Sequence, residues 1–249
     1  MNTFQGMCDS DKMGDMITTE RRILLFDIDG TLLDPQGEGL TFLRKALDDV
    51  YGTAGPIEKY DMAGKTDWQI ITDLMRLAGI KEDTIESRRS DAFSVYAQYL
   101  EEAVPSLTIR LLPGVSNLIK RILDDRSFIM GLVTGNVREL VPHKLKSASL
   151  DPAIFRFGAY GSDHSNRNFL PSLALDRLEG VLGLPIQKEL VLVIGDTPHD
   201  VACARHAGVK VMCVTTGHFN REELEACSPD YLLDDLGDTE AVMRIFHQF

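Results

Sequence analysis

Four short apolar runs, interrupted only by Lys210 in the last of them and each ending next to a polar residue or a Gly-Asp pair, constrain the fold of this chain more than any other feature. The runs span residues 23–26, 128–133, 190–194 and 209–214, and the polar residues after them are Asp27, Thr134, Asp196 and Thr215. Continuous apolar runs of this length are typical of strands buried on both faces, as in parallel sheets. Because segments of helical period separate the runs, the sequence predicts an α/β fold with a doubly wound parallel sheet.

The segments between and after these runs complete that prediction. Helices are expected at 114–125, 137–149, 173–182 and 200–207, and a last edge strand is expected at 231–233. Ligands of doubly wound sheets bind beyond the carboxyl ends of the strands. The polar residues Asp27, Thr134 and Asp196 are therefore expected to lie close together.

One stretch interrupts the alternation of strands and helices. Between Gly39 and Leu107 the sequence shows only helical patterns, at 40–50, 68–78 and 85–102. It therefore predicts an all-helical domain (39–107) inserted into an α/β core (21–38 and 108–249). The expected hinges are Gly37 and Gly39 on one side and residues 105–113 on the other. Residues 1–20 are acidic, without the apolar run of a signal peptide, and are predicted to be a flexible tail.

Charge and cysteine content exclude several classes of partner. The net charge of −12 disfavours nucleic acid and anionic membranes, so a small anionic substrate would need a recruited cation. No window of eighteen residues is apolar and uncharged enough to span a membrane. The four cysteines show no Cys-x-x-Cys spacing, which favours reduced thiols and a cytoplasmic protein.

Two carboxylates follow the first run, in the segment Phe26 to Leu32 with the sequence FDIDGTL. A turn beginning at Gly30 would let Asp27 and Asp29 approach one ligand from different sides. One carboxylate can then attack an electrophile while the other transfers a proton. The alternative is an ordinary strand followed by an Asp-Gly turn.

Further oxygen ligands follow the third run. Asp196 and Asp200, together with Asp27, form the hard, oxygen-rich set that Mg²⁺ prefers. Asp200 has a competing explanation, because an acid in the first turn of a helix is favoured by the helix dipole alone. After the second run, Thr134, Gly135 and Asn136 offer a hydroxyl and backbone N–H groups at a predicted helix start, where phosphate binds well.

These three motifs resemble those of the haloacid dehalogenase superfamily of hydrolases, and the helical insertion resembles the cap of its phosphoglycolate-phosphatase-like branch. The resemblance implies a Rossmann-like core, a helical cap and a Mg²⁺ cofactor. It further implies that Asp27 forms an aspartyl-phosphate, that Asp29 protonates the leaving alcohol and ligates the metal through its carbonyl, and that Thr134 binds the phosphoryl group. Asp196 and Asp200 would hold the metal.

One part of the family pattern is altered in this chain. The family places a Lys or Arg, often followed by Pro, before the last motif, and here the corresponding pair is Leu170-Pro171. The nearest cation is Arg167, which either supplies that charge from a shifted loop or is a solvated loop arginine. Lys144 and Lys146 are the next candidates.

The segment Met62 to Asp67 precedes a predicted helix, with Thr66 or Asp67 as its N-cap. It mimics the end of a P-loop, but Lys59 stands where that motif requires glycine. The resemblance implies instead that this loop closes over the site and that Lys65 attracts an anionic end of the substrate. The alternative is a solvated lysine beside a capped helix.

The sequence therefore predicts a Mg²⁺-dependent phosphatase that acts on a small phosphorylated metabolite. A sugar-phosphate mutase of the β-phosphoglucomutase type is the alternative enzyme, because the same core and cap serve that chemistry. A catalytically retired binding or regulatory protein is the alternative outside enzymes.

Overall fold

The structure is a computed structural model that describes residues 21–34, 39–104 and 109–249. The predicted flexible tail, and the hinge positions at Gly37 and 105–108, lie outside these ranges. In chain order the strands are β1 (Arg22–Phe26), β2 (Leu33–Asp34), β3 (Arg110–Leu111), β4 (Phe128–Val133), β5 (Phe157–Ala159), β6 (Val191–Gly195), β7 (Lys210–Val214) and β8 (Tyr231–Leu233).

Six of these strands form a parallel sheet in the order β5-β4-β1-β6-β7-β8, while β2 and β3 pair separately and antiparallel. This confirms the predicted α/β fold. The central strand β1 lies between β4 and β6, with Phe26 in register with both Leu132 and Ile194. The register therefore brings the carboxyl ends of β4, β1 and β6 side by side, as the three strand-end residues predicted.

Both faces of the central strands are buried, which explains why these strands are apolar runs. Successive side chains of β1 point to opposite faces: Leu24 and Phe26 join one buried cluster, and Ile23 and Leu25 join the other. The helices of the insertion are α1 (Gly39–Tyr51), α2 (Asp67–Leu77) and α3 (Glu82–Ala103), and those of the remainder are α4 (Val115–Leu123), α5 (Val141–Ser147), α6 (Leu170–Leu182), α7 (Pro198–Ala207), α8 (Arg221–Ala226) and α9 (Thr239–Gln248).

The helical insertion, defined here as residues 39–104, has a hydrophobic cluster of its own. Leu47, Ile71 and Leu74 are fully buried within it, and the described part of this segment holds no strand. The cluster also includes Val137 and Leu140 from the loop after β4. The insertion therefore packs directly against one of the segments that carry the predicted site residues.

Some local predictions were wrong. The expected helix at 137–149 begins only at Val141, after a 3-10 turn at Arg138–Leu140. Pro142 explains the late start, because proline has no N–H to donate and is favoured in the first turn of a helix. The predicted edge strand at 231–233 is present, whereas strand β5 and the β2-β3 pair were not predicted. Among the described residues, no helix is long and apolar enough to cross a membrane.

Candidate active site

Three buried carboxylates meet at the carboxyl ends of the central strands. Asp27 follows β1, Asp196 follows β6, and Asp200 lies in the first turn of α7. One oxygen from each lies within 4.8 Å of the other two, and none of the three residues is more than 4% exposed. The structure thus assembles the predicted oxygen-rich set.

Backbone turns hold the first two carboxylates in place. The Asp27 N–H donates to Ile194 O at 2.8 Å, which ties the end of β1 to β6. The chain then turns at Gly30, whose φ is +81°, and a Cβ there would lie 2.3 Å from Asp196 Oδ2. Only glycine fits this position. The Thr31 hydroxyl, which the sequence analysis did not single out, donates to Asp196 Oδ1 at 3.0 Å.

Asp200 is held by a capping box at the start of α7. Its Oδ2 accepts from the backbone N–H of Thr197 at 3.0 Å and from the Thr197 hydroxyl at 2.8 Å. Asp200 thus lies in the first helical turn, as the competing explanation from the helix dipole requires, and it also caps the helix. Capping occupies only Oδ2, and Oδ1 faces the guanidinium of Arg167 at 2.5 Å.

Arg167 is the cation that the structure brings to this cluster. Its Nη2 lies 3.1 Å from Asp27 Oδ2, and its Nη1 donates to Gly64 O in the helical insertion at 3.2 Å. The residue is only 4% exposed, so it is not a solvated loop arginine. Leu170 and Pro171, the pair aligned with the family's cation, instead begin α6 and are buried. The charge comes from the 3-10 turn just before that helix.

The charges of the cluster favour binding of a further cation. Burial raises the pKa of Asp27 to about 6; Arg167 opposes the rise, and Asp200 and Asp29 add to it. Burial and the neighbouring Asp27 and Asp200 likewise raise the pKa of Asp196 well above its usual range. Three buried acids facing one arginine form an uncompensated set of oxygen ligands, which suits a divalent metal.

Asp29 lies beside the cluster and faces a second group of side chains. Its Oδ2 accepts from Asn136 Nδ2 at 2.7 Å and from Lys144 Nζ at 2.6 Å. Asn136 Nδ2 also donates to Thr134 Oγ1 at 2.8 Å, and the Asn136 N–H donates to the same hydroxyl at 3.3 Å. Because Thr134 Oγ1 accepts both bonds, its own proton is free to be donated to a ligand.

The two lysines considered as substitutes for Arg167 are placed differently. Lys144 is 5% exposed and reaches Asp29, while Lys146 on the same helix is exposed. Sequence reasoning missed the pairing of Lys144 with Asp29. Lys144 lies three residues after Val141, on the same face of the helix, which is a signal for burial. Nothing in the sequence identified its partner.

The loop before α2 lies directly against the loop that follows β4. A Cβ at Gly135 would lie 2.1 Å from Lys65 O, so glycine is required for this approach. The side chain of Lys65 turns away: its Nζ donates to Asp61 O at 2.6 Å and lies 4.2 Å from the centre of the Tyr60 ring. The predicted contact of Lys65 with a substrate stays a prediction.

Thr66 and Asp67 fix the start of α2 to the core. Thr66 is the N-cap and also donates its hydroxyl to Ser165 O at 2.7 Å. The N–H of Asp67 donates to Gly135 O at 2.7 Å, and its Oδ2 accepts from the Val137 N–H at 2.8 Å. Asp67 is thus a buried carboxylate between the insertion and the core, a role that the sequence analysis did not assign.

Asp67→Asn should stabilise the protein at neutral and alkaline pH. Burial raises the pKa of Asp67 from 3.8 to about 6, against the Val137 N–H and Lys144, which lower it. Because the folded chain holds this proton to a higher pH than the unfolded chain, ionisation of Asp67 lowers stability as the pH rises from about 4 through about 6. Asparagine keeps an acceptor for Val137 without the charge.

The expected gain in the free energy of unfolding is about 1–3 kcal/mol at pH 8, and it should vanish toward about pH 3, where the aspartate is protonated in both states. Urea unfolding of both proteins at the two pH values measures it. An equal gain at both would show that the buried charge is not its cause.

Comparisons with known proteins agree with this arrangement. A family model described as haloacid dehalogenase-like hydrolase matches residues 24–214. The phosphoglycolate phosphatase of Synechococcus elongatus is 28% identical over 226 residues, which cover 90% of this chain and 99% of that protein.

Solved structures share the fold. CbbY from Rhodobacter sphaeroides in complex with phosphate has a TM-score of 0.67 at 18% identity, covering 88% of this chain and 96% of that one. A hydrolase from Pseudomonas syringae has a TM-score of 0.65 at 20% identity, covering 90% and 99%. The family model spans most of the chain, and the acids at the strand ends of this chain lie together. This protein therefore belongs to the haloacid dehalogenase-like hydrolases.

Proposed function

We propose that this hydrolase is a Mg²⁺-dependent phosphatase that cleaves a small phosphate monoester through a phosphoryl group carried by Asp27. One observation carries the proposal: the carboxylates of Asp27, Asp196 and Asp200 converge within 4.8 Å, with Arg167 against Asp27. Similarity to enzymes named phosphoglycolate phosphatase supports the same reaction class.

Asp27, Asp196, Asp200 and the backbone carbonyl of Asp29 would hold the metal. When bound, Mg²⁺ would neutralise phosphate oxygens and so lower the repulsion between the substrate and Asp27. The carboxylates fit this role, because burial and their mutual repulsion raise the pKa values of Asp27 and Asp196 even though Arg167 lies beside them.

In the first half-reaction the Asp27 carboxylate attacks phosphorus, and the bond to the leaving oxygen breaks. Arg167, at 3.1 Å from Asp27, keeps the carboxylate oriented and offers positive charge to the phosphoryl oxygens. The Thr134 hydroxyl donates a hydrogen bond to one of those oxygens. Asp29 gives a proton to the leaving alcohol.

In the second half-reaction water attacks the phosphorus of the Asp27 phosphoenzyme. Asp29, now a carboxylate, takes a proton from that water, and the bond between phosphorus and Asp27 breaks. Inorganic phosphate leaves, and both aspartates return to their starting states. The same residue thus serves as acid and then as base.

The helical insertion would act as a cap on this site. Its Gly64 carbonyl accepts from Arg167, its Thr66 hydroxyl donates to Ser165 O, and Asp67 bonds to residues 135 and 137. These contacts place the insertion next to the residues that would surround phosphate. A cap so placed excludes water during phosphoryl transfer and contacts the leaving group.

The charge of the insertion near Asp29 favours a phosphatase over a mutase. Asp67 is a buried acid of the insertion, and the charge of Asp29 is one of the causes that raise its pKa. A sugar-phosphate mutase must hold a second phosphate on the leaving-group side, which requires positive charge there. Lys65, the basic residue of the same loop, is bound to Asp61 O.

Hydrolysis of p-nitrophenyl phosphate with Mg²⁺ and with excess EDTA tests the proposal. Turnover should require the metal. Mg²⁺ should also raise the melting temperature, because a ligand that binds only the folded state stabilises it. Well-folded protein that hydrolyses no phosphate ester in a panel of phosphorylated metabolites would contradict the proposal.

Asp196→Asn should lower kcat/KM by about 10²- to 10³-fold, since it removes a metal ligand that contributes to several kcal/mol of charge stabilisation. The melting temperature of this variant should no longer respond to Mg²⁺. Asp176→Asn, an exposed acid on α6, is the matched control and should behave like the wild type. Unchanged metal response in Asp196→Asn would exclude Asp196 as a ligand.

A further inference from the structure

The two oxygens of the Asp29 carboxylate have different surroundings. Oδ2 accepts from Asn136 Nδ2 at 2.7 Å and from Lys144 Nζ at 2.6 Å. Oδ1 is buried and has no hydrogen-bond partner among the described residues. Two donors therefore hold Oδ2 in place, and Oδ1 can form a hydrogen bond with a substrate or an attacking water.

Lys144 is buried and donates hydrogen bonds to both Asp29 and Asn136. Its side chain is 6% exposed, and its Nζ also donates to Asn136 Oδ1 at 2.6 Å. Asn136 in turn donates to Thr134 Oγ1 at 2.8 Å. A closed set of bonds thus joins the proposed acid, Asp29, to the proposed phosphoryl-binding residue, Thr134. Arg167 pairs with Asp27 and Asp200, so Lys144 and Arg167 interact with different carboxylates.

We propose that Lys144 is a positioning residue that orients Asp29 so that Oδ1 is the oxygen that delivers the proton to the leaving group. This rests on the proposed phosphatase reaction. Oδ2 faces two N–H donors and cannot carry a proton without losing one of them. When Asp29 is the acid, its proton must therefore lie on Oδ1.

The proton transfer then runs through a single atom. As Asp27 bonds to phosphorus, the bond from phosphorus to the leaving oxygen breaks, its electron pair stays on that oxygen, and the oxygen takes the Oδ1 proton. In the second half-reaction Oδ1 takes a proton from the attacking water. Without Lys144 the carboxylate is held by Asn136 alone and can rotate, which misplaces Oδ1.

The loss of activity that follows from a misplaced Oδ1 depends on the leaving group. Proton donation from a well-placed acid contributes about 10²- to 10⁴-fold, and misplacement by about 1 Å can remove about 10² of it. A leaving group that is stable as an anion, such as p-nitrophenolate, needs little of this help. An unsubstituted phenolate needs much more, although its size and shape are similar.

The test compares p-nitrophenyl phosphate with phenyl phosphate in wild type, Lys144→Met and Lys144→Gln at saturating Mg²⁺. The quantity compared is kcat/KM, which reports transition-state stabilisation from free enzyme and substrate. Lys144→Met should lower it about 10²-fold for phenyl phosphate and less than about 5-fold for p-nitrophenyl phosphate. Lys144→Gln, which keeps an N–H donor, should show the same bias to a smaller extent. Lys146→Met, an exposed lysine of the same helix, is the matched control.

Equal losses on both esters, or no loss on either, would overturn the positioning role. Loss of folded protein in both Lys144 variants, judged by circular dichroism, would also overturn it, since it would assign Lys144 to the fold alone. Failure of the phosphatase proposal looks different: the wild type itself would then hydrolyse neither ester.

Discussion

Asp27→Asn should abolish phosphate ester hydrolysis, lowering kcat by at least about 10⁴-fold, the scale seen when an enzyme loses its nucleophile. Asparagine has the shape of aspartate but a much weaker nucleophilic oxygen, so the phosphoenzyme would not form. The fold should survive the change. Burial raises the pKa of Asp27 to about 6, which means that the folded chain bears a cost for its charge above that pH.

Steady-state assays of the purified variant, with Asp176→Asn purified in parallel as a control for contaminating phosphatase, measure the loss. Circular dichroism melting curves at pH 8 should show that the Asp27 variant is at least as stable as the wild type. Activity within tenfold of wild type would exclude Asp27 as the nucleophile, even though the carboxylate cluster would remain.

Arg167→Met should be the most destabilising of the substitutions considered. It removes the guanidinium that lies between Asp27 and Asp200, at 3.1 and 2.5 Å, in a site that is almost fully buried. Breaking a buried ion pair by removing one partner typically costs about 3–5 kcal/mol, because the remaining charge is uncompensated. The free energy of unfolding should fall by about that amount at pH 8 in the absence of metal.

The loss should be smaller at low pH, where Asp27 is protonated, and smaller when Mg²⁺ provides another positive charge. Activity should fall as well, by about 10²- to 10³-fold, as expected for the loss of one group that stabilises developing charge. Urea unfolding with and without Mg²⁺ measures the first effect. Arg156→Met, an exposed arginine, is the matched control. A destabilisation independent of pH and metal would indicate lost packing rather than lost charge.

The fold and the acid cluster could be predicted because both depend on short-range patterns. An uninterrupted apolar run identifies a buried parallel strand, and its last residue marks the edge where ligands bind. Asp27 and Asp196 could therefore be placed together without knowing the strand order. Both are buried, and Asp196 lies against Gly30.

The cations and the contacts of the insertion could not be predicted in this way. Arg167 lies in a 3-10 turn three residues before the pair that the family pattern aligns, and such turns have no sequence signature. Lys144 meets Asp29 across 115 residues of chain, and Asp67 meets Val137 across 70. Tertiary packing alone decides such partners. The division into core and cap domains stays a prediction, as does the substrate contact of Lys65.

Trapping the phosphoenzyme tests most directly whether Asp27 carries the phosphoryl group. The enzyme is mixed with Mg²⁺ and substrate, quenched in acid during turnover, digested and analysed by mass spectrometry, with borohydride reduction to mark the acyl phosphate. We expect one phosphoryl group on the peptide that contains Asp27, lost when borohydride reduces the acyl phosphate, and none in Asp27→Asn. A phosphoryl group on another residue, or rapid turnover with Asp27 never modified, would contradict this role of Asp27.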